Sequence, residues 1–140
     1  MSSGVVVGYD GSDCAKAALR AALEVGQAYG EKVVIAFGYD LSPVGGEIHD
    51  YHAALKDLAL TRLAEGTELA AAAGSEVEAV VVEQAPARAL VELAAERDAR
   101  VIVVGTHGES PVRAALLGST PHKLLQLSDR PVLVVPVGPR

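Results

Sequence analysis

The residues best suited to chemistry in this chain lie in one stretch. It reads Gly105-Thr106-His107-Gly108, nine further residues, then Gly118-Ser119-Thr120. That composition and spacing would hold an anion. Glycine lets a ligand come close to the backbone and permits positive φ. Successive N–H groups in such turns form an anion-binding nest. Directly before the stretch stands Val101-Ile102-Val103-Val104, an apolar run that reads as a fully buried strand. Directly after it, Pro121 begins a helical pattern that ends near Leu127. The glycines therefore leave a strand and return to open a helix, whose free N–H groups and positive dipole end point to the same place. Ser119 and Thr120 suit the N-cap of that helix, and their hydroxyls can equally donate to a phosphate oxygen. Ordinary turn glycines are the competing account; the strand before and the helix after favour phosphate binding.

The elements that must position this stretch follow from the rest of the chain. Val5-Val6-Val7 is a short apolar strand ending in the turn Gly8-Tyr9-Asp10-Gly11-Ser12. Ser12 or Asp13 caps a helix with Ala18, Ala22, Val25 and Tyr29 on its inward face, and Gly30 stops it. Val33 to Phe37 is the second strand, and Asp40 to Glu47 is a loop rich in Gly and Pro. A helix then runs from about His49 to Ala73, with Leu55, Leu58, Ala59, Leu63 and Leu69 turned inward, and Gly74 ends it. Val77 to Val82 is the third strand; Glu76, Glu78 and Glu83 give it the character of an edge. Pro86 or Ala87 opens a helix with Ala87, Leu90, Val91, Ala94 and Ala95 on one face, and Val132 to Val135 is the closing strand. Strand and helix thus alternate four times before a last strand. The pattern predicts an α/β fold: a doubly wound, five-stranded parallel sheet with helices on both faces. Alternation alone leaves the strand order open, including 2-1-3-4-5.

The pattern Gly105-x2-Gly108-x9-Gly118-Ser119 resembles the complete nucleotide-binding signature of the universal stress protein family. The resemblance covers nearly the whole chain: Val5 to Ser12 is similar to that family's first strand and turn, and Pro131 to Pro136 to its last strand. It implies a single-domain, ATP-binding protein of the adenine nucleotide alpha hydrolase-like fold with strand order 3-2-1-4-5. It implies phosphates on Gly105, Gly108, Gly118, Ser119 and Thr120, an aspartate matching Asp10 beside the adenosine, and backbone near Gly38 against the adenine ring. Gly38 departs from the apolar residue common at that position. The resemblance also implies a homodimer through the last strand.

With order 3-2-1-4-5 the ligand crevice falls between the first and fourth strands, at the reversal of the sheet. Asp10 ends the first strand and Gly105 the fourth, so the two converge. Ionised Asp10 only accepts, which suits a ribose hydroxyl or an adenine amino group better than a phosphate. An Asx turn leading into the first helix is its alternative role. Gly8 and Tyr9 are further candidates at the same strand end. His107 lies within the glycine stretch, either against the ligand or facing solvent. Arg113 could meet a terminal phosphate or be a surface cation.

A chain of 140 residues is one domain, 1–140, large enough to bury about two-thirds of its unfolded surface. Apolar residues at 50% and charged residues at 21% describe a globular protein. A net charge of −6 argues against nucleic acid, and aromatics at 4% with no Trp argue against base-stacking platforms. Cys14 is the single cysteine and reads as a small buried helix residue in a reducing compartment. No stretch approaches the roughly 20 apolar residues of a membrane span, and the N-terminus has no signal-peptide pattern, which points to the cytoplasm. His49, Asp50 and His52 give two or three ligands without a distant partner, so polarity at a helix start is favoured over a metal. No Gly-x4-Gly-Lys-Ser/Thr, Gly-x-Gly-x-x-Gly after the first strand, or Gly-x-Ser-x-Gly occurs. Two function classes remain. One is a nucleotide-binding regulatory module that takes ATP or cyclic AMP and reports to a protein partner. The other is a slow ATP hydrolase or phosphoryl transferase, with magnesium carried in by the nucleotide.

Overall fold

A computed structural model describes residues 4–39, 48–107 and 119–137, with the side chains of residues 48–50 excepted. Its elements are β1 (Val5–Gly8), α1 (Asp13–Tyr29), β2 (Val33–Gly38), α2 (Ile48–Ala72), β3 (Val77–Val82), α3 (Pro86–Arg97), β4 (Val101–Gly105), α4 (Ser119–Leu127) and β5 (Val132–Val135). The five strands form one sheet in the order β3-β2-β1-β4-β5, and every neighbouring pair is parallel. The fold class and strand order are those anticipated, with β3 at one edge and β5 at the other.

The valines of β1 show why the sheet is wound on both faces. Side chains alternate along a strand, and here both sets are apolar. Val5 and Val7 pack with Ala18, Leu19 and Ala22 of α1 and Leu63 of α2. Val6 turns the other way, to Leu90, Leu93 and Ala94 of α3 and Leu124 of α4. Two cores thus sandwich the sheet, and β1, paired on both sides, is buried along Val5, Val6 and Val7.

Helix ends follow local chemistry. The Ser12 side chain accepts from the Ala15 N–H and caps α1, which stops at Gly30, where φ is 65°. α3 opens on Pro86, whose missing N–H costs nothing in the first turn.

Some inward faces differ from those anticipated. Tyr29 is 59% exposed, and its ring lies under Arg100, whose guanidinium carbon is 4.0 Å from the ring centre, rather than in the core. On α2, Leu58 and Leu69 are exposed while Ala59, Leu63, Gly66 and Ala70 face inward. Gly66 makes room for the Tyr9 ring, which lies 3.1 Å from where a Cβ on Gly66 would stand. On α3, Ala95 is exposed and Leu93 and Ala89 are buried in its place. Cys14 is half-buried rather than buried. Ser119 and Thr120 are the first two residues of α4 rather than its N-cap. The expected loop from Asp40 to Glu47 lies outside the described residues. Among those described, no helix is long and apolar enough to cross a membrane.

Candidate nucleotide-binding cleft

A cleft opens past the carboxyl ends of β1, β2 and β4, where the strand order reverses. Gly8, Tyr9 and Asp10 border it from β1, Phe37 and Gly38 from β2, and Val104, Gly105 and His107 from β4. Pro86 and Leu90 of α3 and Thr120 and Pro121 of α4 close the opposite wall, and Ala15 of α1 adds to the rim.

The first strand ends in a defined turn. Asp10 Oδ1 accepts from the Ser12 N–H at 2.9 Å, so the Asx turn anticipated as its alternative role is present. A carboxylate has about four acceptor sites, so this bond does not exhaust Asp10, which remains on the cleft border. Tyr9 also borders the cleft, but its ring is buried in the α1–α2 core and acts as packing. Burial first, then the charges of Glu65 and Asp10, push its phenol above the usual value and keep it neutral.

Two glycines owe their identity to packing behind the cleft. A Cβ on Gly105 would stand 2.6 Å from the Cys14 Cβ and 2.7 Å from the Cys14 carbonyl carbon. β4 therefore ends directly against the first turn of α1, and Cys14 Sγ lies 3.5 Å from Thr106 Oγ1. A Cβ on Gly38 would stand 2.8 Å from the Ala89 Cβ and 2.9 Å from the Gln84 carbonyl oxygen. An apolar side chain cannot fit at that point, since the turn into α3 occupies its space. Gly38 thereby brings Pro86 and Leu90 onto the cleft wall.

Of the residues expected at the site, Gly8, Tyr9, Asp10, Gly38, Gly105, His107 and Thr120 meet at this cleft. His107 is half-buried rather than turned fully to solvent. Ser119 is exposed and does not border the cleft. Gly108, Arg113 and Gly118 lie outside the described residues. The sequence did not mark the apolar wall of Ala36, Phe37, Pro86 and Leu90. Phe37-Gly38 at a strand end and Pro86 at a helix start were its only signals. Among the described residues no group of three metal-ligating side chains occurs.

Sheet order and cleft together define a doubly wound α/β domain with a crevice at its switch point. Residues 1–136 match the universal stress protein family, and the chain belongs to that family. Universal stress protein YxiE of Bacillus subtilis is 30% identical over 147 aligned positions, spanning 96% of this chain and 99% of that protein. A universal stress protein solved in complex with cAMP is 35% identical with a TM-score of 0.76, over 98% of this chain and 99% of that one. The universal stress protein from Archaeoglobus fulgidus in complex with dAMP is 26% identical with a TM-score of 0.74, over 95% and 97%.

Proposed function

We propose that this chain is a regulatory protein that binds an adenine nucleotide, ATP above all, in the cleft at the reversal of its sheet. The observation that carries this reading is the convergence of Asp10, Gly38, Gly105 and Thr120 on one cleft. The residues fit such a ligand: an acceptor for ribose or adenine, an apolar wall for a ring, and a helix start for phosphates. Two relatives solved with cAMP and with dAMP support the adenine assignment. In this reading the stretch from Gly105 through Gly108 and Gly118 to Ser119 and Thr120 takes the phosphates. Asp10 accepts from the adenosine portion, and the ring lies toward Gly38. Magnesium enters with the nucleotide phosphates and needs no protein cage of its own. The protein works in the cytoplasm as a homodimer through β5 and passes its bound state to a protein partner.

Calorimetric titration with ATP, AMP and cyclic AMP tests the reading. At least one binds, and Gly118→Val weakens it about fivefold to a hundredfold by blocking backbone approach. No binding by any of the three overturns it. Product analysis after incubation with ATP and magnesium separates a binding protein from a slow hydrolase.

A further inference from the structure

His52 was set aside in the sequence as helix-start polarity, and the fold gives it partners. Its Nε2 lies 3.0 Å from Oε1 of Glu83, the residue directly after β3. The same oxygen accepts from the Tyr39 hydroxyl at 3.4 Å. The Tyr39 and His52 rings meet edge to face, with centres 5.9 Å apart and planes at 81°. Tyr39 is only 5% exposed, and its N–H donates to the Val82 carbonyl, which extends the β2–β3 pairing by one residue. One carboxylate oxygen thus joins the first turns of α2 to the carboxyl ends of both β2 and β3. Tyr39 follows Gly38, a cleft residue, so the junction stands one peptide away from the cleft. Burial, then the Glu83 charge and hydrogen bond, hold the Tyr39 phenol above its usual value, so it stays a donor. His52 can donate through Nε2–H in either charge state, so the contact does not require protonation.

We propose that His52 is a positioning residue for the base end of the cleft, acting through Glu83 and Tyr39 on the backbone at Gly38. The proposal rests on the adenine-nucleotide reading above. Removing the imidazole takes one of these two partners from the carboxylate and uncovers an edge of the buried Tyr39 ring. The backbone at Gly38 then samples more positions, and a ring bound there loses contact. The phosphate end, on β4 and α4, is not touched by the change.

The test compares wild type, His52→Ala and His52→Gln with adenosine and ATP. His52→Ala weakens both ligands by the same factor, about threefold to tenfold, so the ratio of their affinities is unchanged. His52→Gln restores most of the loss, because its amide N–H can still reach Glu83. Wild-type affinity for adenosine in His52→Ala overturns the proposal, as does a loss confined to ATP or a failure of Gln to rescue. Amide exchange of the nucleotide-free protein tests the positioning separately. The Tyr39 amide and those of the opening turns of α2 exchange faster in His52→Ala, and unchanged exchange overturns the proposal. If wild type binds no adenosine or ATP, the binding reading fails, and this exchange measurement still decides the role of His52.

Discussion

Gly105 lies against Cys14 so closely that its missing side chain is a packing requirement. The nearest atoms to an added Cβ include the Cys14 carbonyl carbon and oxygen, each at 2.7 Å, and backbone cannot move aside as a flexible side chain can. The first glycine of the signature therefore fixes where β4 meets α1. Gly105→Ala should lower stability by about 1–3 kcal/mol through overpacking and weaken nucleotide binding by displacing the start of the loop. Thermal unfolding and titration of the variant check both. Wild-type stability with weakened binding would place the role of Gly105 wholly in ligand contact.

Asp10 has two tasks that substitution can separate. Its Oδ1 holds the Asx turn to Ser12, which in turn caps α1. Asp10→Ala removes both turn and acceptor; it should cost about 0.5–1.5 kcal/mol of stability and weaken ATP and AMP by similar factors. Asp10→Asn keeps an oxygen for the turn and isolates the charge. A loss confined to ATP, measured by calorimetry, would move Asp10 to the phosphate end.

What the sequence disclosed and what it concealed divide along physical lines. The valine runs of β1, β2 and β4 and the stops at Gly30 and Gly74 are local signals, and the sheet follows from them. Asp10 and Gly105 could be brought together once the strand order was supplied. Tyr29 could not be placed, because its ring partner is Arg100, the residue before β4. The inward face of α2 was misplaced for a related reason. There Gly66, which carries no hydrophobic signal, lies on the inward face and makes room for Tyr9. His52 looked unpartnered because Glu83 reaches it from the end of another strand.

The amino ends of the strands carry an acid-sensitive contact far from the cleft. Glu78 of β3 pairs with Arg97 at the end of α3 and with Lys32 at 3.5 Å. The Arg97 hydrogen bond is the main influence holding the Glu78 carboxyl below its usual range, against a smaller opposing effect of burial. A carboxylate lowered in the folded state adds stability above its unfolded value near 4.5, and loses it as pH falls through the folded value. Glu78→Gln should therefore lower stability at pH 7 by about 1 kcal/mol or less, since the pair is partly exposed. The difference from wild type should narrow as the pH is lowered from 7 toward ~3, through the depressed folded-state value. Urea unfolding at the two pH values checks the sign.

The open edge at β5 sets the last prediction. Ile102 N–H donates to the Pro131 carbonyl and Thr106 N–H to the Val135 carbonyl, so the odd-numbered residues of β5 face β4. Val132 and Val134 therefore turn their N–H and C=O groups outward, as an unpaired edge does. A two-fold axis at Leu133 would pair Val132 of one copy with Val134 of the other and close after two subunits. Pro136, the next outward position, has no N–H and limits the ladder. Leu133 is 39% exposed and would meet its twin across the axis. The competing account is that Pro131 and Pro136 keep the edge unpaired. Leu133 is the better residue to charge, because Val134 packs partly on the α3–α4 core. In a dimer, Leu133→Lys places two like charges together, and the variant should sediment as a monomer with thermal stability near that of the isolated chain. A wild-type protein that sediments as a monomer at tens of micromolar would rule out pairing through this strand.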